Sequence, residues 1–199
     1  MQRPLKQLLN KSVIFRIILI FIGSYLISLL LWILVKDQYC YTLAFVTSKV
    51  VAGLKDAKVE DVTFEQGQVN ATFSPLEGRT PLLVKVPIPT SYTFNAPLTA
   101  AIMACLYMFI RRRTRAYGEA LLILLGVHFL YVFSLEMKQI TEIFMKAGIE
   151  KMNRPEVYTY QFLWIFTRSM IIRFEPFLIG FYIYMRFAER PSEKISIEK

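Results

Sequence analysis

Histidine and cysteine are scarce in this chain: His128 stands alone, with two thiols, Cys40 and Cys105, in 199 residues. Two cysteines cannot build a disulfide framework. Cys40 lies just beyond one apolar run and Cys105 within another, so both read as free thiols serving as small apolar residues. Metal-ligand spacing, a phosphate-cradling glycine loop and a Ser/His/Asp arrangement are all missing from the sequence. It therefore implies neither a metal nor a cofactor. Charge is sparse as well, at 20% of residues, whereas a soluble domain carries about a quarter.

What is abundant is apolar: 55% of residues, with a mean hydropathy of +0.41. The charge present leans basic, 24 Lys and Arg against 15 Asp and Glu, for a net +9. A nucleic-acid surface would gather that excess on one face. Here it gathers at Arg3, Lys6 and Lys11, at Arg111, Arg112, Arg113 and Arg115, and around Arg186 and Arg190. Each cluster flanks an apolar run, as membrane topology signals do. Nucleic acid is excluded as a partner, and membrane lipids are implied.

The chain divides accordingly. A cytoplasmic basic leader (1–12) precedes a first span over 13–35, long enough to cross and too long for a signal-peptide core of about 7–15 residues. Arg16 snorkels from its edge, and Gly23, Ser24 and Ser28 offer a small-residue patch for another helix. Residues 36–95 form the main extracytoplasmic region. Within it, Leu43, Val46, Val50 and Leu54 share one stripe of an amphipathic helix. Alternation at Val59 and Asp61, then at Val69, Ala71 and Phe73, with Gln66-Gly67 between, predicts a β-hairpin. Residues 82–88 add a third strand. Asn95 is expected to cap a second span over 96–110, with Pro97 in its first turn. A basic loop (111–116), a third span (117–135), an extracytoplasmic segment (136–158), a fourth span (159–187) and a cytoplasmic tail (188–199) complete the chain. In the 136–158 segment Ile140, Ile143, Phe144 and Ala147 fall on one helical face. The expected fold is thus membrane all-α: four transmembrane helices with a small α+β extracytoplasmic insertion between the first two, and both termini cytoplasmic.

The last span is unusual in holding Arg168, Arg173, Glu175 and Pro176, because ionisable groups at membrane depth are expensive and tend to have a partner. Gln161, Arg168, Glu175 and Tyr182 recur every seven residues, nearly one face of an α-helix. Arg173 is rotated away from that stripe. Pro176 frees the carbonyl of Ile172 and is expected to kink the helix. Depth matching places Cys105, His128 and Arg173 near mid-bilayer and Glu119 closer to the cytoplasm, level with Arg16 and Tyr182. These polar groups are read mainly as interhelical hydrogen bonds or as an interface to a partner. Arg111, Arg112, Arg113 and Arg115 suit lipid headgroups. Catalysis would need Cys105 as nucleophile with His128 and Arg173 beside it, but Met103, Ala104 and Leu106 surround that thiol with the apolar neighbours that leave it inert. The chain is read as non-catalytic.

Three segments carry a family likeness: Tyr92 with its neighbours in SYTFNAPL, residues 130–143 in LYVFSLEMKQITEI, and Tyr160-Gln161 opening a helix that contains Pro176. In these and in its layout the chain resembles the exosortase H-associated membrane proteins. The resemblance implies a bacterial inner-membrane accessory or scaffold in protein sorting or export, bound to another integral membrane protein such as an exosortase. It transfers no catalytic residues. An exosortase itself sets its cysteine in Ala-Cys-Ser-Gly, whereas here Ala104-Cys105 is followed by Leu106-Tyr107. Two readings of other classes stand beside it: an intramembrane cysteine peptidase or transpeptidase, and a lipid or anion carrier using Arg168 and Arg173.

Overall fold

The computed structural model describes residues 11–76, 82–110, 113–149 and 154–188. Helix α1 (Lys11–Leu54) is unbroken over 44 residues, roughly 66 Å at 1.5 Å per residue. The sequence suggested two units here, a span and a separate amphipathic helix. They fuse because no proline or glycine interrupts the chain between Ser24 and Ala52. The buried face also differs from the expected stripe. Val46, Val50 and Leu54 are exposed, while Cys40, Ala44, Thr47, Ser48, Val51 and Ala52 are buried. Most of these are small side chains that let neighbouring backbone come close. The helix ends where Asp56 takes a left-handed φ of 43°, a conformation Asp tolerates better than most residues.

Three antiparallel strands follow in the order β1 (Ala57–Glu65), β2 (Gln68–Pro75) and β3 (Val84–Pro89). Gln66 and Gly67, with φ of 51° and 75°, form the left-handed pair that a two-residue hairpin turn demands. Val69, Ala71 and Phe73 of β2 and Val84, Val86 and Ile88 of β3 turn inward. In β1 the expected alternation fails at one point: the register shifts between Val59 and Asp61, so Val62 rather than Asp61 faces the core. Pro87 and Pro89 are accommodated because β3 is an edge strand paired only with β2. On the outer face Glu60 accepts bonds from Ser74 (2.6 Å) and Lys58 (3.1 Å). These hold its carboxyl below the ordinary range, at a site too exposed to matter for stability. Asn70, of the Asn70-Ala71-Thr72 sequon, is buried between two paired strands.

A 3-10 turn (Thr90–Phe94) leads into α2 (Asn95–Leu106). Helix α3 (Arg113–Lys146) is again continuous, with Ile140 and Phe144 buried in its second half. Gly148 ends it at φ 71°, with Ile149 N–H on the Phe144 carbonyl and Gly148 N–H on that of Met145. The final helical stretch comprises α4 (Arg154–Phe166), a π-helical turn (Thr167–Ile171) and α5 (Ile172–Phe187).

Two apolar cores result. One lies under the sheet and includes Val51, Phe73, Ile88, Val132 and Phe144; the other joins α2, α3 and α5 through Met103, Ala120, Ile179 and Ile183. The expected small-residue contact at Gly23 is absent, since a Cβ there would meet nothing within 4 Å. Close approach occurs instead at Gly180, where a Cβ would stand 2.6 Å from Ile102 Cγ2. Gly180→Ala must push α2 and α5 apart or displace Ile102. It is expected to cost about 1–3 kcal/mol, read as a lower unfolding midpoint in detergent.

Among the described residues two helices, Ser12–Leu54 and Arg113–Lys146, are long and apolar enough to cross a membrane. The four crossings expected from the sequence are not supported. With 12 residues α2 rises roughly 18 Å, short of a hydrocarbon layer of about 30 Å. The last stretch is divided by its π turn into helices of 13 and 16 residues.

Candidate functional site

Between the two apolar cores runs a layer of buried polar side chains drawn from four helices. Its centre is His128 on α3, fully buried. Its Nδ1 lies 2.7 Å from the Tyr39 hydroxyl on α1, and its Nε2 lies 3.4 Å from Glu175 Oε2 on α5. The second distance is too long for a well-aligned hydrogen bond. Glu175 is 1% exposed, and the same Oε2 accepts a 3.2 Å bond from Asn95 Nδ2 on α2. The rings of Tyr39 and Tyr92 meet the imidazole edge-on at 5.7 and 5.3 Å, and Tyr92 stacks on Tyr131.

Asn95 has a second bond that explains its position. Its amide also donates to the backbone carbonyl of Ile172. That carbonyl is the one Pro176 strips of its helical partner, because proline has no N–H to return four residues back. The side chain expected to cap α2 thus makes no cap bond; Phe94 holds the cap position, and Asn95 repairs the neighbouring helix instead.

Just upstream, the π turn closes with Ile172 N–H donating to Thr167 O, five residues back. One extra residue in a turn rotates everything after it by about 100°. The seven-residue stripe is broken for this reason: Gln161 and Arg168 are exposed, whereas Glu175 is buried. The same insertion brings Arg173 round to follow Arg168, each one place after an inward-turned residue, Thr167 and Ile172. Arg168 lies over the Trp164 ring at 5.6 Å, and neither arginine has an acidic partner among the described residues.

The other expected groupings do not form. Cys105 bonds the Ile17 carbonyl (3.7 Å), while His128 bonds Tyr39, which lies 22 positions further along α1. Thiol and imidazole therefore occupy different levels of the bundle, and among the described residues no nucleophile hydrogen-bonds the imidazole. Glu119 does meet Tyr182 (3.3 Å), along with Arg115 (3.2 Å) and Arg186 (3.3 Å). Arg113 stacks on Tyr107, while Arg111 and Arg112 lie outside the described residues.

Two buried groups escaped the sequence reading. Glu136, assigned to a charge-balanced surface segment, is fully buried and accepts a 2.6 Å bond from Ser48 on α1. Lys55 at the end of α1 is also buried and reaches Glu156 on α4 at 2.5 Å. The signal available for Glu136 was its place on the inward face with Val132, Ile140 and Phe144. Ser48→Ala leaves that carboxyl without its donor. The expected loss is about 1–3 kcal/mol in the chemical-denaturation midpoint, and Ser48→Thr recovers part of it.

No protein-family model, curated protein or solved structure matches this chain.

Proposed function

We propose that the protein is a non-catalytic membrane scaffold that binds another integral membrane protein through the outer face of α4 and α5. The observation that carries this reading is that Arg168 and Arg173, both exposed beside the π turn, have no acidic partner among the described residues. Around them Phe162, Phe166, Phe174, Phe177 and Phe181 are between 41 and 68% exposed. Aromatic belts at a membrane surface are built from Trp and Tyr. Phenylalanine with arginine is closer to the composition of protein–protein hot spots. A guanidinium on such a face calls for a carboxylate, and none of the described residues supplies one there.

In this reading α1, α3 and the joined α4–α5 helix cross the bilayer and α2 completes the bundle as a fourth, short member. Both termini and the basic residues from Arg111 to Arg115, with Arg186, lie on the cytoplasmic side, following the positive-inside rule. The sheet and the upper halves of α1 and α3 then form a stalk on the other side. The polar layer sits where α1 leaves the apolar phase, just past Lys36 and Asp37, so Arg168 and Arg173 lie near the outer interface rather than mid-bilayer. The segments resembling exosortase H-associated proteins contribute Tyr92, Asn95, Tyr131, Glu136 and Pro176, which belong to the buried polar groups and their packing. This favours a bacterial inner-membrane accessory of a sorting or export system, with an exosortase-like enzyme as the partner.

The test is co-purification from native membranes. A single integral membrane protein recovered in fixed ratio, and lost when both arginines become leucine, supports the reading. Recovery unchanged by the double substitution overturns it.

A further inference from the structure

We propose that the groove between α3 and α5 binds an amphiphile from the bilayer, holding its hydroxyl or ammonium head against the Glu175 carboxylate. The groove has a volume of about 270 Å³ and walls formed by Ile123, Val127, Ile171, Leu178 and Ile179. Glu175 lines one end and Tyr182, two helical turns away, the other. A cavity near the lower limit of ligand pockets, apolar except for one or two placed polar groups, suits a single alkyl chain with a small head.

The carboxylate is what gives the groove a preference. Oε2 accepts from Asn95 and lies 3.4 Å from His128 Nε2, but Oε1 is buried without a hydrogen-bond partner among the described residues. A buried acceptor left empty costs about 1–3 kcal/mol, so a ligand that brings a donor recovers that loss on binding. Alkanes and ethers bring none. A docked helix, about 10–12 Å across with its side chains, is too wide for this space. The inference does not use Arg168 or Arg173 and stands or falls apart from the scaffold reading.

The experiment uses the full-length protein in lipid discs of phosphatidylcholine, whose headgroup has no N–H or O–H donor. Radiolabelled dodecanol, dodecylamine and dodecyl methyl ether are titrated in turn. Saturable binding of dodecanol or dodecylamine, roughly tenfold or more tighter than the ether, is expected, as one charge-assisted hydrogen bond provides. Which of the two binds tells a neutral head from a cationic one. Glu175→Leu is expected to abolish the difference between donor and ether probes. Because that change also disturbs Asn95 and His128, Leu178→Trp provides a second variant that fills the groove and leaves the polar layer intact; it is expected to abolish all saturable binding. Equal binding of all three probes, or donor binding that survives Leu178→Trp, overturns the proposal. So does the absence of probe binding together with cross-linking of Leu178→Cys to a second protein chain, which would assign the groove to a partner's side chain.

Discussion

Replacing His128 by alanine is expected to destabilise the protein by about 2–5 kcal/mol, because it opens a cavity in the buried layer and removes the hydrogen-bond partner of the Tyr39 hydroxyl. For a chain of this size that corresponds to an unfolding midpoint roughly 10 °C lower. Among the described residues, the imidazole is the group that joins α1 to α5 in the buried layer, by way of Tyr39 and Glu175. Its removal leaves the Tyr39 hydroxyl facing a void, while Glu175 keeps only its bond from Asn95. The double variant His128→Leu with Glu175→Leu is expected to recover much of the loss, because an apolar pair needs no partners. Thermal unfolding in detergent, followed by near-ultraviolet dichroism of the surrounding tyrosines, measures both. A single His128→Ala variant as stable as the parent would show that the polar layer does not hold the helices together.

The second large effect concerns binding rather than stability. Arg168→Leu combined with Arg173→Leu is expected to weaken the complex with the membrane partner by about 2–5 kcal/mol, the range for losing one side of a desolvated charge pair. That is a loss of roughly 30-fold or more. The stability of the isolated protein is expected to stay within about 0.5 kcal/mol of the parent, since both side chains are exposed and neither holds an ion pair among the described residues. Arg168→Lys with Arg173→Lys separates charge from geometry. Lysine keeps the charge but not the planar fork, so partial binding is expected. A drop in binding that merely tracks a drop in stability would make the arginines structural.

The way these groups are placed shows how far a sequence of this kind can be followed. The hairpin at Gln66-Gly67, the third strand, the shared level of Glu119 and Tyr182 and the freed carbonyl at Ile172 were all readable. Each depends on a local rule: a turn that needs positive φ, an alternation of faces, a helical spacing, a missing N–H. Errors arose where one residue changed a phase. The bulge after Val59 exchanged the faces of β1, and the π turn detached Glu175 from Arg168. Neither has a strong local signature, because a single inserted residue is selected by what the flanking segments pack against.

Composition and the placement of basic residues determined that this chain is organised around long apolar helices and a small sheet, because hydrophobic runs and turn residues act locally. They also left His128, Glu175, Arg173 and Pro176 as the residues needing an explanation. Only the tertiary structure decided which of them meet. Asn95 answers Pro176 at the Ile172 carbonyl, 77 positions along the chain, Tyr39 and Glu175 converge on one imidazole, and Arg173 is left outside. Such pairings depend on how helices lie against one another, and the burial of a polar group is affordable only when that arrangement supplies its partner. Where none of the described residues supplies one, as at Glu175 Oε1, the site is open to something else.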